Sequence, residues 1–242
     1  VCSSDLECDQ FNGIHEGLVQ SWKDIFPKKG EIYFAGALEN NEDTGTLQYL
    51  ASTAMEAGFS TRVLDMQALD LQNGRFFDPA GELVNRCFKL YPWEWMVDES
   101  PDGCLAEMEW LEPIWKLVMS NKAILATLYE LFPDSPYVLP CYLSRPRSGL
   151  FCKKPVFSRE GHNVSVVDIR NWEEHVRIAE TEGDYNTGAY VYQEYVEPTV
   201  YSGRYPVIGS WIIGGEAAGI GIRENRMEVT DNLSEFVPHI IG

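Results

Sequence analysis

EIYFAGALENNEDTGTLQYLASTAMEAGFSTRVLDM (Glu31–Met66) is the stretch from which the fold can be read. Glu31–Leu38 is an apolar run of strand length. Leu47, Leu50, Ala51, Ala54 and Met55 then fall at i, i+3, i+4, i+7 and i+8, one apolar face of a helix. Gly58 stands where that helix should end, and Arg62–Met66 resumes as a strand. Strand, helix and strand in so short a span predict a β-α-β unit, a parallel pair with a right-handed crossover. Upstream, Phe11–Phe26 reads as a helix closed by Pro27 and the turn Lys28–Gly30. Downstream, Asn73-Gly74 between LDLQ and RFFD signals a short hairpin, and Ser100–Gly103 is the best linker candidate.

Past the linker the pattern changes. Leu105–Leu111 and Ile114–Leu131 are predicted helical, with Pro113 and Pro133 as breaks and Asn121 as a restart. Short strands follow over Leu150–Phe157, Asn163–Ile169, Ala189–Val196, Tyr205–Ile213, Ala217–Arg223 and Met227–Thr230, punctuated by Gly214-Gly215 and Glu224-Asn225. One further helix is expected over Trp172–Glu180. The chain thus reads as an α/β segment followed by an α+β domain built on a mostly antiparallel sheet. It shows neither internal repeat nor low-complexity tract.

Composition narrows the classes. Among 242 residues, 45% are hydrophobic, enough to fill a core and to exclude wholesale disorder. The 37 acidic and 19 basic residues give a net charge of −18, the wrong sign for tracking nucleic-acid phosphates. Solubility is the plain reading of that surplus; a cationic substrate is the other. No apolar stretch reaches the roughly 20 residues of a bilayer span, and Glu216 interrupts the best candidate, Val207–Ile222. Six cysteines form no C-x-x-C pair and four histidines are scattered, which points to reduced thiols in a cytoplasmic setting rather than zinc or disulfides. Residues 1–8 are expected to be a non-native or truncated start. Val1–Leu6 (VCSSDL) is what a common sequencing-adapter tail, GTG TGC TCT TCC GAT CTN, would encode.

The ordinary nucleotide and nucleophile motifs are missing: no G-x-x-x-x-G-K-[ST], no G-x-S-x-G, and Gly219-Ile-Gly221 lacks the third glycine of a dinucleotide fingerprint. A distributed set remains. Lys122 begins a helix, and Lys154-Pro155 ends a strand just before Ser158-Arg159-Glu160-Gly161, a small polar turn able to aim backbone N–H groups at an anion. YVYQEYVEP (Tyr190–Pro198) carries Gln193 and Tyr195 on one strand face, and Arg223-Glu224 closes a Gly-rich strand. Two lysines, a glycine turn and a Gln-Glu strand can hold a nucleotide between two sheets without a P-loop. For any one of these lysines a solvated surface position is the blander reading, and Gln193 alone reads as a polar strand-edge residue.

KLYPWEWM (Lys89–Met96), WLEPIWKLVMSNKAILATLYELFP (Trp110–Pro133), KKPVFSREGHNVSVV (Lys153–Val167), YQEYVEP and IGSWIIGGEAAGIGIRE (Ile208–Glu224) together resemble the glutathionylspermidine synthase family, from about Asp9 to the C-terminus. The resemblance is to stand-alone synthase-like proteins without an amidase domain. It implies an ATP-grasp fold, with a β-α-β pre-ATP-grasp-like segment over 9–100 and an ATP-grasp nucleotide-binding region over 101–242. It also implies ATP and Mg2+ as cofactors, and ligation of a peptide-like carboxylate to an amine or polyamine through an acylphosphate. Carried over residue by residue, it makes Lys122 and Lys154 the phosphate lysines and Ser158–Gly161 the loop over the triphosphate. Tyr192, Gln193, Glu194 and Tyr195 become the adenine and ribose segment. Glu228, Val229 and Thr230 take the nucleotide's edge, and Arg223 is a catalytic charge stabiliser. Glu42 and Asp43 would face polyamine amines; helix N-terminal charge favoured by the macrodipole explains them equally well.

This chain departs from the family twice. Leu90 stands where the synthases carry a threonine near the glutathione site, which puts glutathione itself in question as substrate. The family's magnesium ligands lie on a segment N-terminal to the part seen here, so metal ligands stay unknown and this chain alone is expected to be inactive. The competing reading is a nucleotide-binding or scaffold module without turnover.

Overall fold

The computed structural model describes residues 9–178, 181–183, 185, 188–228 and 234–241. They form two compact units. One holds 11–117 with 210–220, and the other holds the described parts of 1–10, 118–209 and 221–242.

In chain order the first unit contains α1 (Ile14–Ile25), β1 (Glu31–Gly36), α2 (Asn41–Glu56), β2 (Ser60–Asp65), β3 (Asp70–Gln72), β4 (Arg75–Phe77), β5 (Leu83–Val84), β6 (Arg86–Leu90), α3 (Trp93–Glu99), α4 (Pro101–Cys104) and β7 (Glu109–Leu111). Its main sheet runs β2-β1-β6-β7, and every neighbouring pair is parallel. The expected β-α-β unit is therefore present, in register from Glu31↔Ser60 to Gly36↔Asp65.

β1 is apolar from Ile32 onward because both of its faces are covered there. Ile32 and Phe34 meet Trp22 of α1 and Leu47, Ala51 and Ala54 of α2, while Tyr33 and Ala35 meet Phe76, Val84, Trp93 and Met96. α2 is turned slightly from its predicted phase. Met55, expected on the apolar face, is 61% exposed, and Thr53 is buried at the other margin of the stripe. Trp22 on α1 explains the turn: its indole N–H donates to Thr53 Oγ1 at 2.9 Å, and the hydroxyl donates to the Leu50 carbonyl at 2.8 Å. Asn40 caps α2 by accepting from Glu42 N–H at 2.9 Å. Asn73 and Gly74, with φ of 51° and 75°, make the β3–β4 hairpin turn as predicted.

Two expectations fail in this unit. Leu105–Leu111 is a turn leading into strand β7, not a helix. Its residues alternate: Met108 and Trp110 join the cluster around Phe76, and Leu111 joins the opposite one. Ser100–Gly103 is no open linker, because α4 begins there and buries Gly103 and Cys104.

A 3-10 turn (Ile114–Lys116) and α5 (Leu117–Ser120) lead to α6 (Ala123–Leu131), so the predicted long helix is broken at the expected restart, where Asn121 Oδ1 accepts from Ala123 N–H at 2.9 Å. The chain continues with β8 (Cys141–Tyr142), β9 (Gly149–Pro155), β10 (Ser165–Arg170), β11 (Glu173–Ile178), β12 (Tyr190–Glu194), β13 (Tyr205–Ile213), β14 (Glu216–Asn225) and β15 (Glu235–Val237), all in the second unit except the 210–220 part of β13 and β14, which belongs to the first. One sheet runs β11-β10-β9-β12-β8 with antiparallel pairs, and another runs β13-β14-β15.

The helix expected over Trp172–Glu180 is strand β11. Asn171 and Trp172, with φ of 55° and 72°, form a two-residue turn that folds Glu173 back opposite Arg170. EEHVRI looks helical by composition, but the left-handed pair before it commits the segment to a hairpin. Met227 and Glu228, expected to open a strand, lie in a bend, and Val229 and Thr230 fall outside the described residues. Among the described residues no helix is long and apolar enough to cross a membrane.

Candidate functional site

The alternation of β9 and its register with β12 decide which side chains meet. Lys154 lies opposite Val191 and Cys152 opposite Gln193, so these four share one face of the sheet. Lys153, opposite Tyr192, takes the other. Lys154 Nζ reaches diagonally to Gln193 Oε1 at 2.7 Å. α6 is docked beside this face through Ala126, packed with Val191 and Cys141.

Lys122, just ahead of α6, binds the chain beyond β9 twice. Its backbone N–H donates to the Val156 carbonyl at 2.8 Å, and Nζ donates to the Ser158 carbonyl and hydroxyl at 2.5 and 2.9 Å. Glu160 and Gly161, with φ of 56° and 74°, turn the loop, closed by His162 N–H on the Arg159 carbonyl at 2.9 Å. Lys122, Lys154, Ser158 and Gln193, spread over 72 positions of the chain, thus gather around the end of β9.

Two thiols lie on the Lys154 face. Burial pushes both Cys141 and Cys152 above the usual thiol range although the Lys154 charge pulls the other way, so neither is an activated nucleophile. Beyond β12, Tyr195 donates to Glu228 Oε2 at 2.7 Å, bringing these two expected residues together. The N–H groups of Glu194 and Tyr195 donate to the carbonyls of Pro140 at 2.7 Å and Leu150 at 3.0 Å.

Arg223 is not gathered with the lysines. It lies on β14 in the other sheet, exposed, its guanidinium 6.0 Å from the Phe236 ring centroid. Glu42 and Asp43 belong to the other unit, in the first turn of α2. Among the described residues no group of three or more His, Cys, Asp or Glu side chains could hold a metal ion.

The sequence reading passed over Lys153. Its ammonium meets Glu174 Oε1 at 2.6 Å and lies 4.6 Å from the Tyr190 ring centroid, with Tyr192 OH 3.3 Å from the second oxygen of Glu174. Burial lowers the Lys153 pKa, but the Glu174 hydrogen bond and charge outweigh it and hold the ammonium above its usual value. The signal was in the doublet itself: adjacent lysines on a strand must point to opposite faces.

A parallel four-stranded sheet flanked by helices, together with antiparallel sheets, defines a mixed α/β fold. A crystal structure from Methylobacillus flagellatus, described as a "putative gamma-glutamylcysteine synthetase", shares it with a TM-score of 0.59 at 9% identity, covering 95% of this chain and 75% of that one. The chain belongs to the glutathionylspermidine synthase preATP-grasp family, whose profile matches residues 3–242. It is 35% identical over 243 residues to a Haemophilus influenzae protein named "Putative acid–amine ligase", covering 96% of this chain and 62% of that protein. It is 26% identical over 232 residues to the bifunctional glutathionylspermidine synthetase/amidase of Escherichia coli, covering 83% and 36%. With the trypanothione synthetase of Crithidia fasciculata it shares 36% identity over 130 residues, covering 52% and 19%. The chain therefore spans less than two thirds of the length of the Haemophilus, Escherichia and Crithidia relatives.

Proposed function

We propose that this chain carries the nucleotide-binding part of an ATP-dependent carboxylate–amine ligase that forms an amide through an acylphosphate. The observation that carries the reading is the convergence of Lys122 and Lys154 on the end of β9, beside Ser158 and Gln193. Two ammonium groups and a hydroxyl suit a triphosphate, since lysine meets phosphate as a compact point charge with three donors. Bound ATP would supply the phosphoryl group that activates a carboxylate.

The chain's own residues would then act as follows. Lys122 and Lys154 offset phosphate charge, and the Ser158–Gly161 turn closes over it. Tyr192–Tyr195 flank the base and ribose. Because the N–H groups of Glu194 and Tyr195 are engaged within the unit, the base would meet carbonyls of this segment or the N–H of Val196. Glu228, held by Tyr195, would take the ribose edge together with Val229 and Thr230, and Arg223 would steady charge on the transferred group. Mg2+ belongs to the proposal as a cofactor that would offset phosphate charge when bound.

Glu42 and Asp43 are proposed to meet an amine or polyamine; their place in the first turn of α2 also suits the helix dipole. Leu90 ends β6 without a hydroxyl, which puts glutathione in question; the carboxylate partner is proposed as peptide-like. We propose 9–100 as the pre-ATP-grasp-like segment, 101–242 as the nucleotide-binding region and the cytoplasm as the setting, the last in keeping with the free thiols of Cys87, Cys104, Cys141 and Cys152. Titrating ATP with and without Mg2+, then measuring amine-dependent phosphate release, tests the reading. ATP binding without release would leave a nucleotide-binding module; no ATP binding would refute both.

A further inference from the structure

We infer that Thr181, which no motif marks, is the positioning residue of the Ser158–Gly161 turn; the inference rests on the nucleotide reading of that turn. All polar groups of Thr181 are spent on the turn's returning limb. The hydroxyl donates to the Gly161 carbonyl and accepts from Val164 N–H at 2.9 Å. The backbone N–H donates to the Val164 carbonyl and the carbonyl accepts from Asn163 N–H, each at 3.1 Å.

The next residues continue the brace. Gly183 lies so close to the turn that a Cβ there would be 2.5 Å from that of His162, and Tyr185 N–H donates to Asn163 Oδ1 at 2.9 Å. The outgoing limb is held separately, by Lys122 on Ser158. A turn carrying two left-handed residues does not hold its own shape in water, and a loop already ordered at both limbs loses less entropy when a phosphate docks. Thr181 therefore acts on the ligand through Gly161 without touching it.

The test compares Thr181→Val, which keeps the shape and removes the hydroxyl, with Thr181→Ser, which keeps the hydroxyl. ATP affinity is measured by calorimetry, and amide exchange is followed over 161–164 and, as a folding control, over β1. Thr181→Val should raise the Kd for ATP about tenfold, the scale of one or two lost hydrogen bonds, and speed exchange at Val164 while β1 stays protected. Thr181→Ser should restore both. If Thr181→Val is itself poorly folded, Gly183→Ala, which pushes His162 away, must give the same pair of changes. Parental ATP affinity in folded Thr181→Val overturns the inference and leaves the nucleotide reading standing. Failure of the parent chain to bind ATP sinks that reading, and a merely structural brace would then show only the exchange effect.

Discussion

Lys154→Met removes one ammonium and keeps the stem of the side chain. Lys154 is the penultimate residue of β9, and its ammonium is held at 2.7 Å by Gln193 Oε1. Pro155 fixes its own φ and biases Lys154 toward the extended form, so the charge projects from a stiff strand end. Losing a charged donor preorganised for phosphate costs roughly 2–4 kcal/mol, which at 1.4 kcal/mol per decade weakens ATP binding about 30- to 1,000-fold. The fold should lose far less. Gln193 is half-buried and can turn its amide to water, so about 1 kcal/mol is the scale, seen as a fall of about 2–4 °C in Tm. Lys154→Arg should recover part of the affinity, because the guanidinium keeps the charge and changes the reach. Calorimetric titration of ATP into the parent and both variants supplies the numbers. A folded Lys154→Met protein that binds ATP within about twofold of the parent, far short of the expected loss, would refute the phosphate role of this lysine.

Three further outcomes are expected. Gly36→Ala should lower stability by about 1–3 kcal/mol through overpacking, since its Cβ would lie 2.9 Å from the Leu90 carbonyl oxygen and 3.0 Å from Leu47 Cδ1; a denaturant midpoint equal to the parent's would show that β6 gives way freely. Asp78 is held below the usual carboxyl range by the Glu82 N–H, then, against burial, by the Ala80 N–H, Tyr33 and Arg62. Its stabilisation is thus complete above the unfolded carboxyl pKa and is lost as pH falls through the lowered folded value, so Asp78→Asn should flatten the acid limb of a Tm–pH curve, and parallel limbs would contradict this. Burial pushes the Cys87 thiol up to about 12, so in native protein at pH 8 it should resist iodoacetamide until denaturant is added, as peptide mapping would reveal.

The parallel core could be read in advance because its signals are local and physical: an apolar run for β1, a helical stripe for α2, a glycine after it. The two misread helices show the limit. In Glu109–Leu111 and Glu173–Ile178 composition favours helix, and what decides for strand lies outside the segment: the open edge of β6 for one, the left-handed Asn171-Trp172 turn for the other. Four of the gathered residues, Lys122, Lys154, Ser158 and Gln193, were singled out from the sequence as chemical types near strand ends. That they share one site came from the resemblance and not from their spacing, because it depends on the register of β9 with β12, which side-chain pairing across strands sets. Thr181 left no trace at all, since its role lies in bonds that any Ser or Thr could make from the right place.

The first unit is made from two stretches of chain, and this has a consequence for its birth on the ribosome. Gly13 donates to the Ala218 carbonyl at 2.7 Å, and Gly17 lies against Ile213 and Ala218, so α1 is finished only by the hairpin tip at 210–220. The segment up to Leu117 emerges first and cannot close over that helix until the tip is translated, an interval on the order of 5–20 s at ordinary elongation rates. During it the Gly13–Gly17 side of α1 is bare to any neighbouring chain, and the order of synthesis works against the order of packing.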